Sequence, residues 1–224
     1  KYYGKTAKLS KWSTSHINTM IEQAEKGVLH GPYGIMHARM LRETLMTFGS
    51  QPTGRPMRAL VVGSEHPWVE AIALSVGFAH VTTLEYGSIE CADIRIDTVL
   101  PSDFRRAVLE GTFSGSRGFD AVISFSSLEH PGLGRYGDAI NPYGDLIMLA
   151  RLHCVTKKGG RLFLGVPMAR DFDGIYFNAH RIYGPVMLPQ LIANWQQVAG
   201  PKEFPLGGDV LFSRINQPVL VLQK

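Results

Sequence analysis

Apolar and polar positions along this chain follow two periods, and the change from one to the other falls near residue 57. Before it, STSHINTMIEQAEKG carries apolar residues at helical spacing, with Ser and Thr candidates for the N-cap and Gly27 at a C′ position. PYGIMHARMLRETLMTFG repeats the pattern: Met36, Met40, Leu41, Leu45 and Phe48 share one helical face and Gly49 ends it. Such a stripe predicts core packing. SQPTGRP, residues 50–56, holds two prolines and a glycine and breaks regular structure.

From residue 58 short apolar runs alternate with helical patterns. RALVVG reads as a buried strand, and PWVEAIALSVG as a helix with Pro67 near N1 and Gly77 beyond its end. HVTTLEYG is a β-branched strand ending on Glu85, DIRIDTV a weaker one, and a helix follows from Pro101 to Glu110. FDAVISF is a strong strand. NPYGDLIMLARLHCVT predicts a helix stopped by KKGG, RLFLGVP a buried strand, GPVMLPQLIANWQQV a helix and QPVLVLQ a last strand. This alternation predicts an α/β, Rossmann-like fold: an open, mostly parallel seven-stranded sheet with helices on both faces. Residues 1–57 read as an N-terminal helical cap and linker and 58–224 as the α/β domain, one structural domain overall.

Composition narrows the function classes. With 224 residues, 45% hydrophobic and 19% charged, the chain is long enough for one sizeable core and ordinary for a globular protein. Its net charge of +4 is spread along the sequence, so no nucleic-acid surface is indicated. The basic opening KYYGKTAKLSKW reads as a solvated end. No apolar run approaches the ~20 residues that span a bilayer. Cys91 and Cys154 make neither a disulfide framework nor a CxxC site, and Cys154 reads as a small buried residue. The chain opens on Lys and not Met, which points to an upstream segment and leaves localisation, cytoplasmic or lumenal, unread.

In an open α/β sheet, ligands bind beyond the carboxyl ends of the strands. At those ends the sequence places GSEHPW (63–68), EYG (85–87), Asp97, SFSSLEH (124–130) and GVPMARD (165–171), a ring of small and polar residues. Glu85 lies 22 positions after Gly63, close to the roughly 20 expected of an acid that binds a nucleoside ribose. The first turn departs from the G-x-G-x-x-G that lets a pyrophosphate approach. VVGSEHPWVE has the single glycine Gly63, then Glu65 and the bulky Pro67–Trp68. A carboxylate beside a pyrophosphate is repelled, so NAD and FAD are disfavoured. A cofactor with a ribose, an adenine and a cationic end fits better, and S-adenosylmethionine is such a molecule. Trp68 is placed either to flank it or to pack, and both readings stand.

The segments VVGSEHPWVEAIAL, VTTLEYG, FDAVISFSSLEHPGLGRYGD, KKGGRLFLGVP and FNAHRIYG resemble domain-of-unknown-function family 268, over about residues 58 to 198. That family is known from nematodes and from bacterial polysaccharide gene clusters, and is similar to class I S-adenosylmethionine-dependent methyltransferases. The resemblance implies that Glu85 holds the ribose, that Asp97 contacts the adenine, and that Leu128-Glu129-His130 lines cofactor and substrate. Gly63, Glu65, Trp68, Tyr86, Ser126 and Ser127 complete the expected cofactor set.

Methyl transfer to a hydroxyl is helped by a general base near neutral pH, and histidine suits that role. His130 in LEHPG and His180 in FNAHRIYG are the two candidates, with Glu129 orienting its partner. Asp138 is placed to take an acceptor hydroxyl, Arg181 to bind an anionic group, and Arg135, Tyr136 and Tyr183 to shape the acceptor pocket. The alternative is that Glu129, His130, Arg135 and Asp138 merely hold a glycine-rich loop. Glu129, His130, Asp138 and His180 are of metal-ligand type, but no HxH or HxxxH spacing supports an ion. His16, His37, His66, His153 and Trp195 read as structural or surface residues. The function implied is methylation of a small-molecule or glycan hydroxyl. A non-catalytic binding or scaffolding protein is the alternative, and a nicotinamide oxidoreductase comes third.

Overall fold

In the computed structural model, residues 9–49, 55–111, 118–201 and 215–224 are described. They fall into two compact units, one of the described residues from 9 to 123 and one of those from 124 onward. In the first unit the strands pair in the order Phe119–Phe125, Arg58–Val62, His80–Leu84, Ile96–Val99, and in the second in the order Gln196–Ala199, Val219–Gln223, Thr156–Gly165.

In the first unit, β1 (Ser10–Trp12) precedes α1 (Thr14–Glu25) and α2 (Ile35–Phe48). Ser13 is the N-cap of α1, its hydroxyl accepting the His16 amide at 3.2 Å. β2 (Arg58–Val62), α3 (Trp68–Ser75), β3 (His80–Leu84), β4 (Ile89–Cys91), β5 (Ile96–Val99), α4 (Pro101–Leu109) and β6 (Phe119–Phe125) follow. β2 pairs parallel with β3, and β3 with β5. The apolar runs Ala59–Val62 and Val81–Leu84 are buried along their whole length, as a sheet covered on both faces requires. α1 and α2 pack on α3.

Two expectations for this unit need correction. Part of the opening segment is no solvated end: β1 pairs parallel with β4, and Trp12 is buried. The expected Met stripe of α2 faces outward in part, since Met36 is exposed while Ala38, Leu41 and Leu45 form the buried face. The break expected over 50–56 lies largely outside the described residues.

The second unit holds α5 (Gly144–Val155), β7 (Thr156–Gly165), β8 (Met168–Ala169), β9 (Gly174–Tyr176), β10 (His180–Ile182), α6 (Met187–Leu191), β11 (Gln196–Ala199), β12 (Ile215–Asn216) and β13 (Val219–Gln223). β13 runs antiparallel to both β7 and β11, so the expected parallel sheet holds for β2, β3 and β5 but not at this side. KKGG is not a helix stop but the first part of β7. α5 is ended by Lys224, whose ammonium donates to His153 O at 2.6 Å and Thr156 O at 2.7 Å. The last expected helix shrinks to five residues. Pro189 within it brings no amide donor, and Gln196–Ala199 gain a β13 partner instead. Cys154 is exposed, not buried. Trp195 packs its ring 5.0 Å from His153, edge on. No helix among the described residues is long and apolar enough to cross a membrane.

Gly165 ends β7 against the Phe125 ring: a Cβ there would lie 2.6 Å from Phe125 Cδ2. Gly165→Ala is therefore expected to lower stability by about 1–3 kcal/mol, read as a lower denaturation midpoint at unchanged m-value. A midpoint equal to wild type would show that the ring yields without cost.

Candidate active site

After Val62 the chain turns at Gly63, whose φ of +76° is a conformation that favours glycine. The Gly63 amide donates to Leu84 O at 2.9 Å, tying the ends of β2 and β3 together. Glu85 completes the tie. Its Oε2 accepts the Ser64 amide at 2.7 Å, and its Oε1 accepts those of Tyr86 at 2.7 Å and Gly87 at 3.4 Å. Burial nevertheless raises the Glu85 carboxyl above the ordinary range, and the nearby charge of Glu65 adds to this. An open cleft of about 120 Å³ borders Glu85, Gly87, Ser88, Thr98, Val99 and Leu100, at the carboxyl ends of β3 and β5.

The other expected cofactor residues of this unit are placed less uniformly. Glu65 and Tyr86 are exposed. Trp68 is buried and packs: its ring leaves no room for a Cβ on Gly31 and meets Tyr33 at 6.2 Å. Asp97 does not follow its strand. It is the second residue of β5, opposite Thr82, and bonds His80 Nε2 at 2.8 Å. His80 opens β3, so this pair lies toward the amino ends of the strands, away from the carboxyl ends where an adenine contact was expected.

Glu70 stands outside the expected set of site residues. It is fully buried in the first turn of α3, where Oε1 meets the Thr83 hydroxyl at 2.8 Å and Oε2 the Ser64 hydroxyl at 2.9 Å. Burial pushes its carboxyl up to about 7. A lone acid inside the apolar run WVEAIAL was the available signal, because a solvated helix face would have brought other polar residues with it.

In the second unit, Ser126 takes a positive φ of 55° and donates its hydroxyl to Glu129 Oε1 at 2.7 Å. Ser127 contributes its carbonyl, which accepts the His130 amide at 3.1 Å. Glu129 is buried, its Oε2 has no hydrogen-bond partner among the described residues, and burial raises its carboxyl to about 7. His130 Nε2 lies 3.7 Å from Glu129 Oε1, while Nδ1 bonds Ala179 O at 2.5 Å. A carbonyl only accepts, so Nδ1 carries the proton and Nε2 keeps its lone pair. Burial first, then Arg135 and His180, lower the His130 pKa to about 4 against the raising effect of the Ala179 bond. His180 is lowered as well, again chiefly by burial.

Rings gather around this histidine. Tyr136 and His180 stand edge on to it at 5.6 Å and 6.4 Å, and Tyr176 lies 5.1 Å from His180. The Arg135 guanidinium covers the Tyr136 ring at 5.7 Å.

Three expected substrate or catalytic residues have other occupations. Asp138 accepts the amides of Gly132 at 2.6 Å, Gly134 at 3.4 Å and Tyr136 at 3.2 Å, so its carboxylate folds the loop. Arg181 is fully buried and donates to the carbonyls of Glu129 at 3.3 Å, Pro131 at 2.7 Å and Pro142 at 3.2 Å. Tyr183 is fully buried too, its hydroxyl 2.9 Å from Asp145 Oδ2. Neither is available to an acceptor. Among the described residues no group of three His, Cys, Asp or Glu is arranged to hold a metal ion.

The family DUF268, described as Caenorhabditis protein of unknown function, matches residues 56–203. No curated protein matches the chain. Among solved structures, a 1,6-didemethyltoxoflavin-N1-methyltransferase of Burkholderia thailandensis, with 1,6-didemethyltoxoflavin and S-adenosylhomocysteine bound, superposes at a TM-score of 0.53 and 17% identity, covering 93% of this chain and 86% of its own. A duf574 family protein from Streptomyces avermitilis superposes at 0.54 and 12% identity, covering 92% and 90%. At these identities the likeness is one of fold, and the fold is Rossmann-like.

The placement of Arg181 predicts a stability effect. Arg181→Met leaves the Pro131 and Pro142 carbonyls without their guanidinium donor and Asp145 without its cation 3.4 Å away. A loss of about 3–5 kcal/mol in chemical denaturation is expected. Wild-type stability in this variant would return Arg181 to the pool of anion-binding residues.

Proposed function

The chain belongs to the DUF268 family, and we propose that it is an S-adenosylmethionine-dependent methyltransferase acting on a hydroxyl of a small-molecule or glycan acceptor. The observation that carries this reading is Glu85, a carboxyl at the end of β3 beside an open cleft. A carboxylate offers about four acceptor positions, and the three amides on Glu85 leave room for a ribose hydroxyl at Oε2. Gly63, without a side chain, lets a ligand approach the backbone. Glu65 and Glu85 place carboxyl groups beside this turn, which disfavours a pyrophosphate and suits a cationic ligand. That the Burkholderia thailandensis neighbour holds S-adenosylhomocysteine supports the same choice.

S-adenosylmethionine, when bound, supplies an electrophilic methyl group on a cationic sulfur. His130 receives the acceptor's proton at Nε2, the nitrogen that the Nδ1 bond to Ala179 O leaves free. Its low basicity costs driving force, and an ionised Glu129 at 3.7 Å offsets that cost by stabilising the imidazolium. Ser126 holds Glu129, and Ser127 fixes the His130 backbone. His180, Tyr136 and Tyr176 offer ring faces to the acceptor, with Arg135 beside them. A second reading, a non-catalytic methyltransferase-fold binding protein, draws on the three amides already held by Glu85.

Calorimetric titration with S-adenosylhomocysteine is expected to give micromolar binding that weakens at least about tenfold in Glu85→Ala, the equivalent of roughly 1.4 kcal/mol. No binding by wild type would sink the methyltransferase reading. Given an acceptor, the rate is expected to rise with pH through about 7 as Glu129 loses its proton. Glu129→Gln removes that limb and costs on the order of 10²-fold in kcat. A rate that falls over this range would assign the proton to another group.

A further inference from the structure

The hydroxyl of Ser64 stands 2.7 Å from His66 O and 2.9 Å from Glu70 Oε2. It has one proton to give. The carbonyl is an obligate acceptor and the nearer of the two, so Ser64 Oγ turns a lone pair toward Glu70. Two oxygens at that distance need a proton, and the carboxyl must bring it. The other carboxyl oxygen accepts from Thr83. His66 O also accepts the Trp68 amide at 2.8 Å, but a neutral acid alone puts a proton in each of the three contacts, since a carboxylate leaves one of the two short contacts of Ser64 Oγ without one.

From this hydrogen-bond count, and resting on the cofactor reading of Glu85 above, we infer that Glu70 is a positioning residue of the cofactor site. As a neutral acid it clamps Ser64 to β3, and thereby aims the Ser64 amide at Glu85. Ser64 has two handles: its hydroxyl is held by Glu70 and its amide by Glu85 at 2.7 Å. Rotating either one moves the other. Glu70 thus does by hydrogen bonding what the absent glycines do elsewhere by conformation: it fixes the backbone that a ligand approaches.

Burial outweighs the hydrogen bonds that favour the charge of Glu70, those from its own amide, Thr83 and Ser64. The faces that α1 and α2 bury are apolar, with Ile17, Ala24, Ala38, Leu41 and Leu45, and β2 contributes Ala59 to Val62. The titratable neighbours are Glu85, beyond β3, and Cys91 on β4, whose thiol is raised and stays neutral near pH 7. Burial accordingly raises Glu70 to about 7.

Glu70 loses its proton as pH rises, so wild-type affinity for S-adenosylhomocysteine is expected to fall by about tenfold per unit above pH ~7 once Glu70 ionises. Ionisation of Glu85 acts in the opposite direction and gives the rising limb at lower pH. Glu70→Gln keeps a neutral donor: it is expected to bind within about threefold of wild type at pH ~6 and to lack the falling limb. Glu70→Ala is expected to bind at least about tenfold more weakly throughout. The proton itself is read by infrared difference spectroscopy at pH ~6, as the protonated-carboxyl stretch that wild type shows and Glu70→Gln lacks, beside the Glu129 stretch that both keep. A falling limb that persists in Glu70→Gln, or a Gln variant as weak as Ala, overturns the inference. So does the absence of that stretch. If the stretch is present and neither protein binds the ligand, the positioning role falls through the cofactor reading and not through the clamp.

Discussion

A carboxyl oxygen accepting backbone amides is the contact on which both candidate clusters are built. Glu85 gathers the amides of Ser64, Tyr86 and Gly87, and Asp138 those of Gly132, Gly134 and Tyr136. Asp173 does the same for Gly184, Val186 and Met187 at the start of α6. Loop amides have no ladder to join, and an unpaired one buried away from water costs about as much as a lost hydrogen bond. One side chain at the centre of a loop satisfies several at once and sets the loop's shape in doing so. Where the loop must tighten, glycine permits it: at Gly132 a Cβ would run into Asn141 O.

The fold was legible in the sequence wherever periodicity and burial agree. RALVV, HVTTL, FDAVISF and VLVLQ are continuous apolar or β-branched runs, and each is a strand. Illegible were the elements whose conformation is set by a distant partner. Ser10–Trp12 has no strand signal of its own and becomes one by pairing with Ile89–Cys91. KKGG looks like a helix stop, yet Gly159 and Gly160 exchange hydrogen bonds with Lys224, so the residue after β13 makes a strand of it. For the same reason Gln196–Ala199 extend no helix: β13 offers them an edge.

The candidate site was legible as a set of segments but not as a set of roles. Residue types that bind substrates also hold loops, and only burial separates the two uses. Arg181 and Tyr183 share their strand and its end with His180, yet they are fully buried while the histidine is half-buried. A guanidinium that meets three carbonyls has its donors occupied by the fold. His130 differs in that one nitrogen is fixed by Ala179 O, a residue 49 positions away. No local pattern could have revealed that bond, although it decides which nitrogen is free.

The single glycine of the first turn bears on what this fold can hold. A phosphate-binding turn works because small residues expose amides to an anion at a helix N-terminus. Here the Ser64 amide is already given to Glu85, Pro67 brings no amide, and Glu70 lies buried in the first turn of the helix. The amide and the proline withhold donors that a phosphate would need, and a buried acid supplies no positive charge to replace them. A turn of this kind disfavours an anion, and under the proposed function Glu85 takes the hydroxyls of a cationic ligand. With its amide and hydroxyl both held, Ser64 keeps by hydrogen bonding the backbone order that glycine-rich turns reach by conformational freedom.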